Sequence, residues 1–132
     1  MSNLDAKVKT QIFRKDFPII LATNRHLATI LGVRLVYDAD GYLAGTVLAR
    51  RTDGLYAAYD DGGSSGLDTA RGILFEDVAP EEFVATTGTA VARSIFGGEV
   101  FKDKLIGLDA NGETDLGART IIDASSVSIL KF

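Results

Sequence analysis

The sequence has no cysteine and no tryptophan, a single histidine, a single methionine and two prolines. Without cysteine there is no disulfide framework, no thiol nucleophile and no zinc-thiolate site. Any assembly built from this chain is therefore held non-covalently. No apolar run reaches the roughly 18 residues that span a bilayer, and the opening MSNLDAKVKT lacks an apolar signal core. A soluble chain with no secretory leader and no membrane partner is expected. The one histidine, His26, lies in the polar stretch Thr23-Asn-Arg-His26-Leu27, with no serine elbow beside it. It suits a surface or hydrogen-bonding role better than general-base work, although a triad is recognised by geometry and not by sequence position. No catalytic residue, cofactor or metal ligand is expected, and a hydrolase assembled around His26 is the reading that would contradict this.

Charge is present but unevenly placed. The whole chain carries −4. Residues 1–36 hold Lys7, Lys9, Arg14, Lys15, Arg25 and Arg34 against Asp5 and Asp16, a net +4, and residues 37–132 hold eight basic and sixteen acidic side chains, a net −8. A basic leading arm on an acidic body suits contact with an acidic protein surface. An ordinary edge strand guarded by lysines explains it equally well. Nucleic acid is a poor partner, because the acidic body repels phosphate and the arm lacks interleaved aromatics.

At 132 residues the chain is most simply one domain. It is long enough to bury about two thirds of its unfolded surface. The pattern is mainly β, α+β at most. In the arm, Val8, Thr10 and Ile12 alternate with Lys7, Lys9 and Gln11, as in an extended edge segment. Strands are expected over 31–37, 43–49, 55–59, 71–78, a long run 83–95 bent at Gly88, 99–101 and 126–130, and one proline-led run at 17–21 lies on an edge or at a strand end. The one plausible helix runs over 113–123, with Asp115 near its start and Gly117 weakening it. Residues 1–15 read as an arm and 16–132 as one compact domain.

Three stretches bear a faint likeness to calcium loops: Asp38-Ala-Asp-Gly41, Asp60-Asp-Gly-Gly63 and Asp109-Ala-Asn-Gly112. In the third, glycine comes too early and Thr120 stands where a closing carboxylate is needed. All three sit where strand runs end, and Asp, Asn and Gly are turn formers there. The Gly62-Gly-Ser-Ser-Gly66 loop lacks the lysine and following helix of a phosphate cradle. Adjacent acids such as Glu76-Asp77 and Glu81-Glu82 point to opposite faces of a strand and do not share a site. Tyr56 and Tyr59, three apart, also face opposite sides.

Taken in order, Asp16-Phe-Pro-Ile19, Gly45-Thr-Val-Leu-Ala-Arg50, Gly54-Leu-Tyr-Ala-Ala-Tyr-Asp60, the glycine-rich loop, Thr69-Ala-Arg-Gly-Ile-Leu-Phe-Glu-Asp-Val78 and Gly98-Glu-Val-Phe-Lys-Asp-Lys-Leu105 resemble the head decoration proteins of tailed bacteriophages, typified by phage lambda protein D. The resemblance covers about residues 16–108 and rests on order and spacing, not on one motif. It implies a β-clip or β-tulip domain that acts without catalysis, made in the host cytoplasm and placed on the outer surface of the phage head. It implies a homotrimer at three-fold positions that clamps the major capsid protein of the expanded shell. It also implies an N-terminal segment that adds a strand to a capsid sheet, so the capsid-contact candidates are Lys7, Val8, Lys9, Thr10, Gln11, Ile12, Phe13, Arg14 and Lys15. Thr23 to Tyr37 has no clear counterpart in the family pattern. The rival reading is a small β-domain that binds carbohydrate or another small ligand, which the scarcity of aromatics disfavours.

Overall fold

A computed structural model describes residues 21, 28–85, 88–116 and 129–131. The described residues form seven strands: β1 (Thr29–Val36), β2 (Val47–Arg50), β3 (Tyr56–Ala58), β4 (Ala70–Leu74), β5 (Thr89–Gly97), β6 (Glu99–Phe101) and β7 (Ile129–Lys131). Among the described residues one α-helix, α1, spans Ala110–Leu116. The first five strands close into a barrel in the order β1-β3-β2-β4-β5, and β6 and β7 form a separate two-stranded sheet. The fold is mainly β with a short helix, as the sequence pattern predicts. Among the described residues no helix is long and apolar enough to cross a membrane.

Two apolar clusters follow from strand alternation. Val33, Leu35, Leu48, Leu74, Ala90 and Ala92 point into the barrel, joined by Tyr42, Val78 and Phe83. The opposite faces of β2, β4 and β5 supply Val47, Ala49, Ile73 and Ile95 to a second cluster, completed by Tyr59, Phe75, Val100 and Leu116. β2 is thus buried on both faces along Val47, Leu48 and Ala49. Its unbroken apolar run reflects two cores, not one. Tyr59 enters the outer cluster, while Tyr56 packs against the inner one, on the opposite side as their spacing requires. The buried Tyr42 hydroxyl is satisfied by donating to the Val36 carbonyl at 2.7 Å. Burial, reinforced by the negative charge of Asp38, pushes its pKa up to about 12.

Several boundaries differ from the sequence pattern for local reasons. The strand expected from Leu43 begins at Val47, because Gly45 adopts φ 94° and Thr46 closes a turn onto Leu43. The run from Phe83 does not form one long strand: Ala85 takes φ 63°, and β5 starts only at Thr89. Phe83 is nevertheless buried, edge-on to Tyr37 at 5.5 Å. The helix starts at Ala110, three residues ahead of the expected onset, because Asp109 acts as its N-cap. The Asp109 carboxylate accepts from the Gly112 amide at 2.7 Å, and its carbonyl accepts from Glu113 at 2.9 Å. Residues 117–123 of the expected helix lie outside the described residues, as does the expected edge run before Leu21.

Gly45 also carries the join between barrel and outer layer. A Cβ there would collide with the Lys104 carbonyl. The Gly45 carbonyl accepts from the Ile106 amide, and the Ile106 carbonyl in turn accepts from Val47. Gly107 has a similar positive φ of 84°, but no atom lies within 4 Å of where a Cβ would stand. Gly107→Ala is therefore expected to cost about 1 kcal/mol of backbone strain, and Gly45→Ala on the order of 3 kcal/mol as strain and overpacking combine. Urea midpoints of the two variants check this ordering.

Candidate functional site

The arm candidates, Lys7 to Lys15, lie outside the described residues. What the structure does place is the point where the leading segment joins the body. Leu21 forms an antiparallel bridge to Val100 on β6. Val100 also pairs with Leu130 of β7, within a register that runs from Glu99↔Lys131 to Phe101↔Ile129. The chain's entry and its last described strand thus flank the same short strand. Val100 is fully buried, and Leu21 and Ile30 pack beside it on the outer cluster. A Lys102–Glu113 ion pair at 2.9 Å ties the turn after β6 to α1.

The structure brings two of the three acidic stretches together. The Tyr59 hydroxyl lies 2.9 Å from Asp109 and 3.2 Å from Asp61. Asn111 donates to both oxygens of Asp61, at 3.1 and 2.9 Å. A phenol has one proton, so Tyr59 donates to one carboxylate at a time while Asn111 holds the other loop in place. Burial first, then the hydrogen bond to Asp109, drives the Tyr59 pKa well above the usual phenol value. The result is a latch between the loop after β3 and the start of α1.

Three further carboxylates serve their own turns. Asp38 accepts from the Asp40 amide at 2.8 Å, Asp53 from Leu55 at 3.1 Å, and Asp60 from Gly62 at 3.2 Å. Glu76 and Asp77 diverge: Glu76 bonds Arg93, while Asp77 accepts from the Ala44 amide at 2.6 Å. Among the described residues no group of three or more His, Cys, Asp or Glu side chains could hold a metal ion. His26 lies outside the described residues. A groove of about 360 Å³ opens where β3 and β4 begin and β5 ends, lined by Tyr56, Ala70, Arg71, Phe96, Asp115 and Leu116. Its two rings meet edge to face at 5.9 Å and pack against the inner cluster, so they serve the core and make no stacking platform. Asp115 is engaged by the Ala70 amide at 3.0 Å.

Large apolar side chains reach solvent at Leu31, Val84, Val91 and Ile106. Val84 and Val91 are the most open, at 77% and 75%. Sequence reasoning missed Val91, since alternation in β5 marks it as outward-facing without saying whether a second layer covers it. It also missed the Tyr59–Asp109 latch, whose partners stand fifty residues apart in the chain.

The described residues form a small closed barrel with an outer layer, polar turns and scattered exposed apolar side chains. A family model described as bacteriophage lambda head decoration protein D matches residues 22–121. The chain belongs to this family, and its role in decorating the phage head is structural. It binds the phage capsid and is located there. No curated protein and no solved structure matches the chain.

Two outcomes test the latch. Tyr59→Phe should lower stability by about 1 kcal/mol through the lost hydrogen bond. Because both Tyr42 and Tyr59 ionise later in the folded chain than in the unfolded one, the unfolded state loses protons first. Stability should therefore fall as pH rises above about 10, the ordinary phenol range, and less steeply in Tyr59→Phe; chemical-denaturation midpoints across that range report both. The loop beyond the latch is two successive turns, Asp60–Gly63 and Ser64–Leu67, each closed by a backbone hydrogen bond. A short peptide inserted between Gly63 and Ser64 enters at their junction and should leave the melting temperature within a few degrees of the parent.

Proposed function

We propose that this protein binds the outside of the expanded phage head as a homotrimer at three-fold sites, joins neighbouring major capsid subunits and stabilises the shell against internal DNA pressure. Family membership over residues 22–121 is the observation that carries the reading. The chain's chemistry is consistent with it. The candidate metal and phosphate loops are spent on turns and on the Tyr59 latch. No enzymatic activity and no cofactor enter the proposal, and neither nucleic acid nor membrane is a partner.

The attachment mechanism rests on the arm. Val8, Thr10 and Ile12 alternate with Lys7, Lys9 and Gln11, which suits strand addition to a capsid sheet, where backbone ladders supply affinity and alternate side chains set register. Residues 1–15 form the arm and 16–132 the body. Linking three arms and three bodies multiplies weak contacts, so avidity exceeds a single contact by roughly 10²–10⁴. Only the expanded lattice spaces those contacts correctly, and a ligand stabilises the state it binds.

Co-sedimentation with expanded and unexpanded capsids tests this reading. Saturable binding to expanded shells alone is expected, with a copy number set by the three-fold positions. Equal binding to both shells, or to neither, contradicts it. Removing residues 1–15 should leave the denaturation midpoint unchanged and reduce capsid affinity about a hundredfold; full affinity in the truncated chain would assign attachment to the body alone.

A further inference from the structure

The latch between the loop after β3 and the start of α1 contains the pair Asn111-Gly112. The chain has three asparagines, Asn3, Asn24 and Asn111, and only Asn111 precedes a glycine. Such a pair is chemically labile, because no Cβ on the glycine hinders its backbone nitrogen from reaching the asparagine side-chain amide. Asn111 is exposed, so water has access to it.

The latch itself demands both residues. The Asn111 side-chain nitrogen donates to both oxygens of Asp61, at 3.1 and 2.9 Å, and an ionised aspartate has no proton to offer there. Gly112 is buried against Tyr59: a Cβ on it would stand 2.9 Å from the ring and 3.2 Å from Asp109 Oδ1. Alanine at this position would slow the reaction by crowding, and the same packing excludes it.

The closed latch also restrains the reaction. The Gly112 amide donates to Asp109 Oδ1 at 2.7 Å, and the Tyr59 hydroxyl lies 2.9 Å from that same oxygen. The proton of the attacking nitrogen is thus held, the Asp109 charge opposes its removal, and the amide under attack is pinned to Asp61. Reaction requires Asn111 to leave Asp61 and the first turn of α1 to open. That is a local opening of the latch, with the barrel left intact.

We infer that Asn111 is a site of spontaneous deamidation gated by the Tyr59 latch, and that its conversion unfastens the loop after β3 from α1. The Gly112 nitrogen bonds to Asn111 Cγ and gives its proton to a solvent base. The side-chain amide nitrogen is displaced, takes up a proton and leaves as ammonia. Water then opens the resulting succinimide to aspartate or isoaspartate, with no oxidant or reductant involved. Aspartate at this position sets a like charge against Asp61 where two hydrogen bonds stood. Isoaspartate loses the same bonds and lengthens the main chain by a methylene in the first turn of α1, drawing the Gly112 amide away from Asp109.

Full-length parent and Tyr59→Phe are incubated in mildly alkaline buffer, with and without urea, and conversion at each asparagine is followed by peptide mass spectrometry with isoaspartate detection. In buffer, conversion is expected at Asn111 ahead of Asn3 and Asn24, at least about tenfold slower than in urea. It should run about fivefold faster in Tyr59→Phe, which lacks one hydrogen bond of the closed latch. In urea the two chains should convert at the same rate. Asn111→Asp carries the product from the outset and should show faster amide exchange over Asp60–Leu67, with exchange in β2 and β4 unchanged. No preference for Asn111 overturns the site. Equal rates in buffer and urea, or in parent and Tyr59→Phe in buffer, overturn the gate. Parent-like exchange over Asp60–Leu67 in Asn111→Asp overturns the release. The comparison of buffer with urea needs only the parent and holds if Tyr59→Phe folds poorly.

Discussion

The fold depends on β5 serving two neighbours. Along its whole length it pairs with β1, and near its C-terminal end it also pairs with β4 through Ile73↔Ile95 and Leu74↔Ser94. That double duty closes the barrel. It also divides the apolar side chains, sending Ala90 and Ala92 inward and Ile95 outward to the second cluster. A strand slip of one residue would exchange the two sets. Ser94 sits at the junction, fully buried, with its hydroxyl donating to the Ile73 carbonyl at 3.3 Å. Closure leaves the barrel with few strand edges to offer another chain.

The outer layer is asymmetric for the same reason. It covers β2, β4 and the Ile95 end of β5, pinned by the Gly45–Ile106 backbone hydrogen bond and by the Lys102–Glu113 pair. It stops short of Val91. The chain enters beside the covered end, at Leu21, and its acidic turns gather around α1 through Tyr59, Asp61 and Asn111. Those acidic turns form one side of the body, in a chain whose basic excess lies in its first 36 residues.

Local chemistry is legible in this sequence, and closure is not. The turns at Asp38–Gly41 and Arg51–Gly54 are readable because an Asp carboxylate bonds the amide two residues on. Opposed facing of Tyr56 and Tyr59 follows from a period of two. Asp109 is harder, since the same Asp-x-Asn-Gly run serves as a turn or as an N-cap, and only the residues behind it decide. Gly45 and Ala85 break two expected strands: Gly45 is held at positive φ between Leu74 and Ile106, and Ala85 opens a turn closed by the Gly88 amide. The residues that meet across the barrel or the latch, such as Ile30 with Ile95 or Tyr59 with Asp109, are separated by long stretches of chain, and neither composition nor spacing ties them. The family resemblance over about 16–108 reaches what periodicity does not, and the family match over 22–121 agrees with it.

On the proposed reading, a preformed barrel meets the capsid through residues 7–15 without being remodelled. Amide hydrogen exchange of the full chain, free and bound to expanded capsids, tests it most directly. New protection confined to residues 7–15 and the neighbouring surface, with exchange in β2 and β4 unchanged, is the predicted result. Unchanged exchange across the arm, or altered exchange throughout the barrel strands, would contradict it.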